Sequence, residues 1–311
     1  MDKNAKIYVA GHRGLVGTAL ARKLQKEGYT NLLFRTSREL DLRRQAETEA
    51  FFDQERPDYV FLAAAKVGGI LANDTYKAEF IYDNLSIATN VIQAAYRSGV
   101  KKLLNLGSAC IYPKFAPQPM HEGLLLTGPL EPTNEAYAVA KIAAIKLCRY
   151  YNEQYGTNFI SVMPTNLYGP EDNFDLENSH VLPALIRKFH EAKISGQKSV
   201  VLWGTGEPSR EFLHVDDLAD ACVYLMQKYD HKDLGEFVNI GVGKDIKIKD
   251  VAELIKRVIG FDGTIHWDTS KPDGMPRRLM DTSKIHALGW KHRIELEEGL
   301  KSEYQWYVRS A

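Results

Sequence analysis

Cysteine is scarce: Cys110, Cys148 and Cys222 are the only three in 311 residues. An odd, unevenly spaced set argues against a disulfide framework and offers no zinc-ligand spacing, so no metal site is expected. It suits a reducing, cytoplasmic compartment. Cys148 and Cys222 read as small core residues. No apolar run approaches the roughly 20 residues that a spanning helix needs. The longest, near Tyr59–Ala65, stops at Lys66. The N-terminus lacks a signal-peptide core, because the apolar Ile7–Ala10 runs straight into Gly11-His12-Arg13-Gly14. Neither charge is in excess, with 40 basic side chains against 40 acidic ones. A neutral chain has no global pull toward nucleic acid or an anionic membrane. No repeat or low-complexity tract interrupts it.

What is present is an ordinary soluble composition, 44% hydrophobic and 26% charged. The length allows two units at about 150 residues each. Short apolar runs at Ile7–Ala10, Leu32–Arg35, Tyr59–Ala64, Leu103–Gly107 and Phe159–Met163 predict buried strands. Between them, Leu15, Leu20 and Leu24 recur at helical spacing. Arg44–Glu55, Asn84–Ser98 and Tyr137–Tyr155 continue the helical pattern. Strands alternating with helices predict an α/β fold with a Rossmann-type, doubly wound parallel sheet. After Pro164 the alternation weakens, interrupted by Pro170, Pro183 and Pro208. Phe212–Lys228 then predicts a helix with its entry loop, and Phe237–Ile240 one more strand. Residues 1–168 and about 212–242 are thus expected to form the nucleotide-binding domain. Residues 169–211 and 243–311 are expected to form a smaller α/β substrate domain.

Gly11-His12-Arg13-Gly14-Leu15-Val16-Gly17 lies between the first strand and the first helix. Glycines there permit a tight turn and a close backbone approach to a pyrophosphate, and the helix N-terminus supplies donors. An NAD site would offer an acid at the end of the second strand. Here that strand ends in Arg35, followed by Ser37-Arg38. With Arg13 in the turn, these cations predict a 2′-phosphate and therefore NADP. Asp41 follows and is placed at the adenine edge.

Tyr137 and Lys141 are four apart at the head of a helix and share one face. A neighbouring ammonium is expected to lower the phenol's pKa. Ser108 ends the fourth strand, at the sheet edge where open α/β folds bind ligands. The three make a set for proton transfer coupled to hydride transfer.

With these residues in place, the sequence resembles the extended short-chain dehydrogenase/reductase family, which modifies nucleotide sugars. The resemblance covers nearly the whole chain. It is carried by the glycine turn, Tyr-x-x-x-Lys, Asn166-Leu167-Tyr168-Gly169-Pro170 and Arg210-Glu211-Phe212-Leu213-His214-Val215-Asp216-Asp217. Ala63 to Ile70, Gly107 to Pro113, Pro164 to Pro170, Asn178-Ser179-His180-Val181 and Lys271-Pro272-Asp273-Gly274 narrow it. They look like the branch that converts GDP-4-keto-6-deoxy-D-mannose to GDP-L-fucose with NADPH. That reaction is a 3,5-epimerisation followed by reduction at C4. The resemblance implies Cys110 as the epimerising base and His180 as the acid. It implies cofactor contacts from Leu106, Gly107, Lys141, Pro164, Asn166, Leu167 and His180, besides the turn residues. For the GDP end it implies Lys188, Trp203, Arg210 and Asp273. It also implies a homodimer, formed through the Asn84–Ser98 and Tyr137–Tyr155 helices. Ala109 departs from the family where many members have a second serine, and Ser37 where a basic residue is common. The alternative is another nucleotide-sugar epimerase or reductase, such as an NAD-dependent UDP-glucose 4-epimerase. Arg13, Arg35, Cys110 and His180 count against it.

Overall fold

The computed structural model describes residues 1–176, 179–271 and 273–310. Asn178 and Pro272, quoted above within longer motifs, lie outside the described residues. The centre is a six-stranded parallel sheet. Its spatial order is Val238–Ile240, Phe159–Pro164, Lys102–Leu106, Tyr59–Leu62, Ile7–Ala10, Leu32–Leu33. The strands are mostly apolar because both faces are covered. Side chains alternate between two cores. Ile7, Val9, Phe61, Leu104 and Ile160 join one, with Leu20 and Leu24 from the Leu15–Lys26 helix and Leu218 and Cys222 from the Val215–Lys228 helix. Tyr8, Ala10, Val60, Leu62, Leu103 and Phe159 join the other. That face is covered by Phe51 and Phe52, by Val91 and Ile92, and by Ala144 and Cys148. Cys148 and Cys222 are core residues as expected, and burial pushes the Cys148 thiol up to about 12.

The predicted return to the sheet is present: Val238–Ile240 pairs in parallel with Phe159–Pro164, Val238 opposite Val162. Several element boundaries differ from expectation; the entry to the Val215–Lys228 helix, Phe212–His214, is itself a strand. The second strand ends at Leu33, because Thr36–Leu40 folds into a turn whose Glu39 carboxylate accepts from the Thr36 amide at 2.7 Å. The helix expected from Asn84 begins at Lys77. Asn84 does not cap it; its amide bridges to the Lys66 main chain and to the Phe80 carbonyl.

A third apolar cluster lies beyond the sheet. It gathers Leu182, Leu185 and Phe189 of the Val181–Ile194 helix, Val251, Leu254 and Ile255 of the Ile248–Ile259 helix, and Leu300 of the Leu296–Ser310 helix. Asn166–Tyr168, paired with Phe212–His214, connects it to the sheet.

Candidate active site

The first strand points its C-terminal end at the glycine turn. Gly11 has φ +84°, and a Cβ there would lie 2.7 Å from the Ala64 backbone. A Cβ on Gly17 would lie 2.0 Å from the Gly11 carbonyl oxygen. Only glycines let the turn, the first helix and the third strand approach this closely. Gly14 caps the Leu15–Lys26 helix without a side-chain bond, and the first turn carries no acid. Donors are left there for an anion, with no carboxylate to repel it. His12 packs against Phe34 at 5.0 Å, and burial lowers its pKa.

The three arginines of this corner are not equivalent. Arg35 donates to Glu55 at 2.8 Å and to the Phe34 carbonyl, and lies over the Phe51 ring. Arg13 and Arg38 are exposed and make no ion pair among the described residues. Asp41 is held by Arg43 through two bonds of 2.9 Å. The Arg43 guanidinium keeps its carboxyl below the usual carboxylate range.

The fourth strand carries the reactive end. A Cβ on Gly107 would lie 2.1 Å from the end of the Met163 side chain, which would have to move. Ser108 caps a short turn, and its Oγ accepts from the Cys110 amide at 3.5 Å. The Glu135–Tyr155 helix brings Tyr137 and Lys141 to the same place. Lys141 Nζ lies 5.6 Å from the Tyr137 ring centroid and donates to the Leu106 carbonyl at 2.8 Å. Burial lowers its pKa to about 8.

The tyrosine differs from expectation. Burial drives the phenol pKa up, the nearby Cys110 raises it further, and the Ser108 hydroxyl opposes both. Among the described residues Lys141 donates to the Leu106 carbonyl and not to the phenol. Tyr137 therefore keeps its proton at neutral pH, as a proton donor must. The Cys110 thiol is also raised by burial, against the Ser108 hydroxyl and the Arg278 and Lys141 charges. Burial wins in that contest, so the thiol form dominates near neutrality.

His180 comes from a different element. It caps the Val181–Ile194 helix with its backbone and makes no hydrogen bond to the other four among the described residues. Its surface is exposed, yet desolvation lowers the imidazole pKa. Of the remaining cofactor candidates, Asn166 donates to the Glu211 carbonyl at 2.9 Å. Pro164 ends its strand beside Leu167, which packs on the first core.

The GDP candidates form a second cluster. Trp203 is exposed, with Lys188 Nζ 5.7 Å and Lys271 Nζ 5.6 Å from its ring. Asp273 is taken up by Thr205, whose amide and hydroxyl donate at 2.8 and 2.6 Å. Arg210 donates to the Ser209 and Met275 carbonyls, and burial lowers its pKa to about 10, with Arg278 adding to the effect.

Two site residues escaped the sequence reading. Arg278 is a crowded guanidinium whose Nε is buried without a partner among the described residues. Its charge acts on both Cys110 and Arg210. The only sequence signal is the pair Arg277-Arg278, whose first member goes to Asp245 at 2.7 Å. Glu211 is fully buried, and its carboxylate accepts from the Val242, Gly243 and Met280 amides at 2.6 to 2.9 Å. It ties together the loops around Arg210 and Arg278.

Residues 7–241 match the NAD dependent epimerase/dehydratase family. GDP-L-fucose synthase 1 of Arabidopsis thaliana is 63% identical over 309 residues, covering 99% of this chain and 95% of the relative. GDP-L-fucose synthase of Escherichia coli (strain K12) is 52% identical over 311 residues, covering 98% and 97%. The solved structure of a GDP-L-fucose synthetase from Naegleria fowleri bound to NADP aligns with a TM-score of 0.92. It is 33% identical, and the alignment covers 100% of this chain and 94% of that one.

Proposed function

The chain belongs to the NAD dependent epimerase/dehydratase family, and from that we infer an NADPH-dependent enzyme that converts GDP-4-keto-6-deoxy-D-mannose to GDP-L-fucose. The observation that carries the reading is Cys110 seated beside Ser108, Tyr137 and Lys141, in a chain 63% identical to a relative of that name. The glycine turn, the uncapped first-turn amides and the free cations Arg13 and Arg38 fit the pyrophosphate and 2′-phosphate of NADP. When bound, NADPH supplies the hydride for C4.

The chain's own residues handle protons. A 4-keto group acidifies the hydrogens at C3 and C5. Cys110 removes them as thiolate, formed against its burial with help from the Arg278 and Lys141 charges. His180 returns a proton on the opposite face. A lowered imidazole pKa makes its protonated form a stronger acid, and that form is depleted as pH rises. Tyr137 protonates the C4 oxygen, oriented by Ser108. Lys188, Arg210 and Arg278 balance the diphosphate, with Trp203 as an apolar wall. Residues 1–168 and 212–242 hold the cofactor in this reading, and 169–211 and 243–311 the GDP-sugar. Two copies pair through the Lys77–Arg97 and Glu135–Tyr155 helices, where Tyr82, Val139 and Tyr150 are exposed. A cytoplasmic location agrees with three free cysteines.

The test is loss of NADPH absorbance on adding GDP-4-keto-6-deoxy-D-mannose, with the product identified by NMR. A product other than GDP-L-fucose overturns the assignment.

Two further outcomes follow from the charges. Arg13→Ala or Arg38→Ala is expected to raise the NADPH dissociation constant about 10- to 150-fold, the worth of a charge-assisted bond of roughly 1.5–3 kcal/mol. NADH binding should change little. Equal weakening of both cofactors would remove these arginines from the 2′-phosphate. Arg35→Ala should instead lower thermal stability, through the lost Glu55 pair. Arg278→Met is expected to move the thiol-dependent limb of the pH profile for C3/C5 proton exchange up by about one unit, slowing exchange roughly tenfold near neutrality. An unmoved limb would separate Arg278 from the thiol.

A further inference from the structure

Arg210 and Arg278 meet in a small three-stranded sheet. Ser209–Arg210 is its central strand, with Ile246–Lys247 on one side and Arg277–Arg278 on the other. Each strand has two residues, below the usual range of about 3–10. Arg277–Arg278 runs parallel to the centre, and Arg278 stands opposite Arg210. Residues paired in this way project from the same face of a sheet. Two guanidiniums are therefore held side by side, where like charges oppose the pairing. Neither has a carboxylate partner among the described residues. Arg210 Nη1 donates to the Ser209 and Met275 carbonyls, and Arg278 Nε is buried without a partner. Glu131, whose charge favours the Arg278 cation, is itself taken by Lys114 at 3.0 Å.

We propose that Glu211 is the positioning residue of this pair: its buried carboxylate staples all three strands at one end and so presets both guanidiniums for a single diphosphate. The identity of that anion rests on the GDP-sugar reading, while the staple rests on hydrogen bonds. Glu211 directly follows the central strand and is fully buried. The antiparallel neighbour has Ile246 opposite Arg210, so the chain that enters it arrives at this end. There Glu211 Oε1 accepts from the Val242 amide at 2.6 Å and the Gly243 amide at 2.7 Å. The parallel neighbour leaves at the same end, and Oε2 accepts from the Met280 amide at 2.9 Å. The outer strands are also joined by Arg277 and Asp245 at 2.7 Å, but that arginine is half exposed and the pair contributes little.

The main-chain carbonyl of Glu211 does a separate task. It accepts from Thr165 Oγ1 at 3.3 Å and Asn166 Nδ2 at 2.9 Å, in the stretch assigned to the cofactor. Changing the carboxylate leaves those bonds in place. Both carboxylate oxygens act as acceptors, so a glutamine cannot stand in. Whichever way its amide turns, an NH2 group faces the Met280 amide or the Val242 and Gly243 amides, donor against donor. Gly241 offers a second way to disturb the staple. A Cβ there would lie 2.4 Å from Glu211 Oε1, so Gly241→Ala displaces the carboxylate without removing it.

The test is calorimetric titration of GDP and of inorganic pyrophosphate into protein saturated with NADPH, which keeps the glycine turn occupied. Glu211→Gln is expected to weaken both ligands by on the order of tenfold, and by the same factor, because the loss lies in the charge-assisted bonds to the diphosphate. NADPH affinity should not change. Should Glu211→Gln not fold, Gly241→Ala carries the same expectation. A merely structural disturbance of the substrate side would weaken GDP more than pyrophosphate. Pyrophosphate bound equally well by wild type and Glu211→Gln, or equally well by wild type and Arg278→Met, overturns the proposal, as does a wild type that binds no pyrophosphate. A wild type that binds pyrophosphate but not GDP would sink the GDP-sugar reading instead, and the pyrophosphate titrations would still decide the role of Glu211.

Discussion

Cys110→Ser is expected to stop solvent deuterium from entering C3 and C5 of the keto sugar while leaving reduction at C4 intact. Loss of a general base typically costs about 10²–10⁴-fold, and the local environment puts this case in the upper part of that range. Cys110 is 4% exposed, and burial already pushes its thiol up. The thiolate is reachable only because a thiol starts far lower than an alcohol and because Arg278 and Lys141 favour the anion. A serine hydroxyl in the same pocket has the same desolvation to overcome from a much higher starting point. The substitution changes little volume, so Ser108, Tyr137 and Lys141 keep their places. The variant should therefore reduce the unepimerised sugar and release a GDP-6-deoxyhexose other than fucose. His180→Gln should differ: protons still leave, but exchange occurs without full inversion. The measurement is NMR of deuterium content with the product sugar identified. Undiminished GDP-L-fucose formation with normal exchange at both carbons would refute the base assignment and leave a plain reductase.

The parts of the fold that were legible in the sequence are those where one physical rule acts alone. Ile7–Ala10, Tyr59–Leu62 and Lys102–Leu106 are buried on both faces, so their apolar runs stand out. The glycine turn is legible because tight contacts at Gly11 and Gly17 exclude a side chain. Tyr137 and Lys141 are legible because helical spacing fixes their relation. The Val181–Ile194 helix was hidden by Pro183, read as an interruption. That proline sits in the first turn, where its missing N–H has no intrahelical acceptor to satisfy. The Arg35–Glu55 pair joins residues from two elements, and no local pattern announces it. Arg278 enters the site only because its short strand pairs with Ser209–Arg210. Local rules thus give the scaffold and the motif residues. The charges that tune them come from tertiary pairing.

Tyr137→Phe is expected to lower the rate of C4 reduction by about 10²–10⁴-fold, with NADPH affinity and melting temperature close to wild type. The hydride that reaches C4 leaves negative charge on the oxygen, and a donor must meet it. Burial keeps the phenol protonated, and Ser108 shares a hydrogen bond with it, so the proton is present and aimed. Phenylalanine keeps the ring, its edge-on contact with Phe80 at 6.3 Å and its place above Lys141. Only the proton is removed. Deuterium exchange at C3 and C5 should persist, because Cys110 and His180 are untouched, and the 4-keto intermediates should accumulate. Lys141 adds a pH signature to the wild type. Its ammonium, held at about 8, loses its charge as pH rises through that value, so reduction should decline there. Single-turnover NADPH oxidation, read beside exchange in the same samples, separates the two steps. Hydride transfer in Tyr137→Phe at near the wild-type rate would mean that the proton comes from another group. Loss of exchange together with reduction would mean that the two half-reactions do not use separate residues.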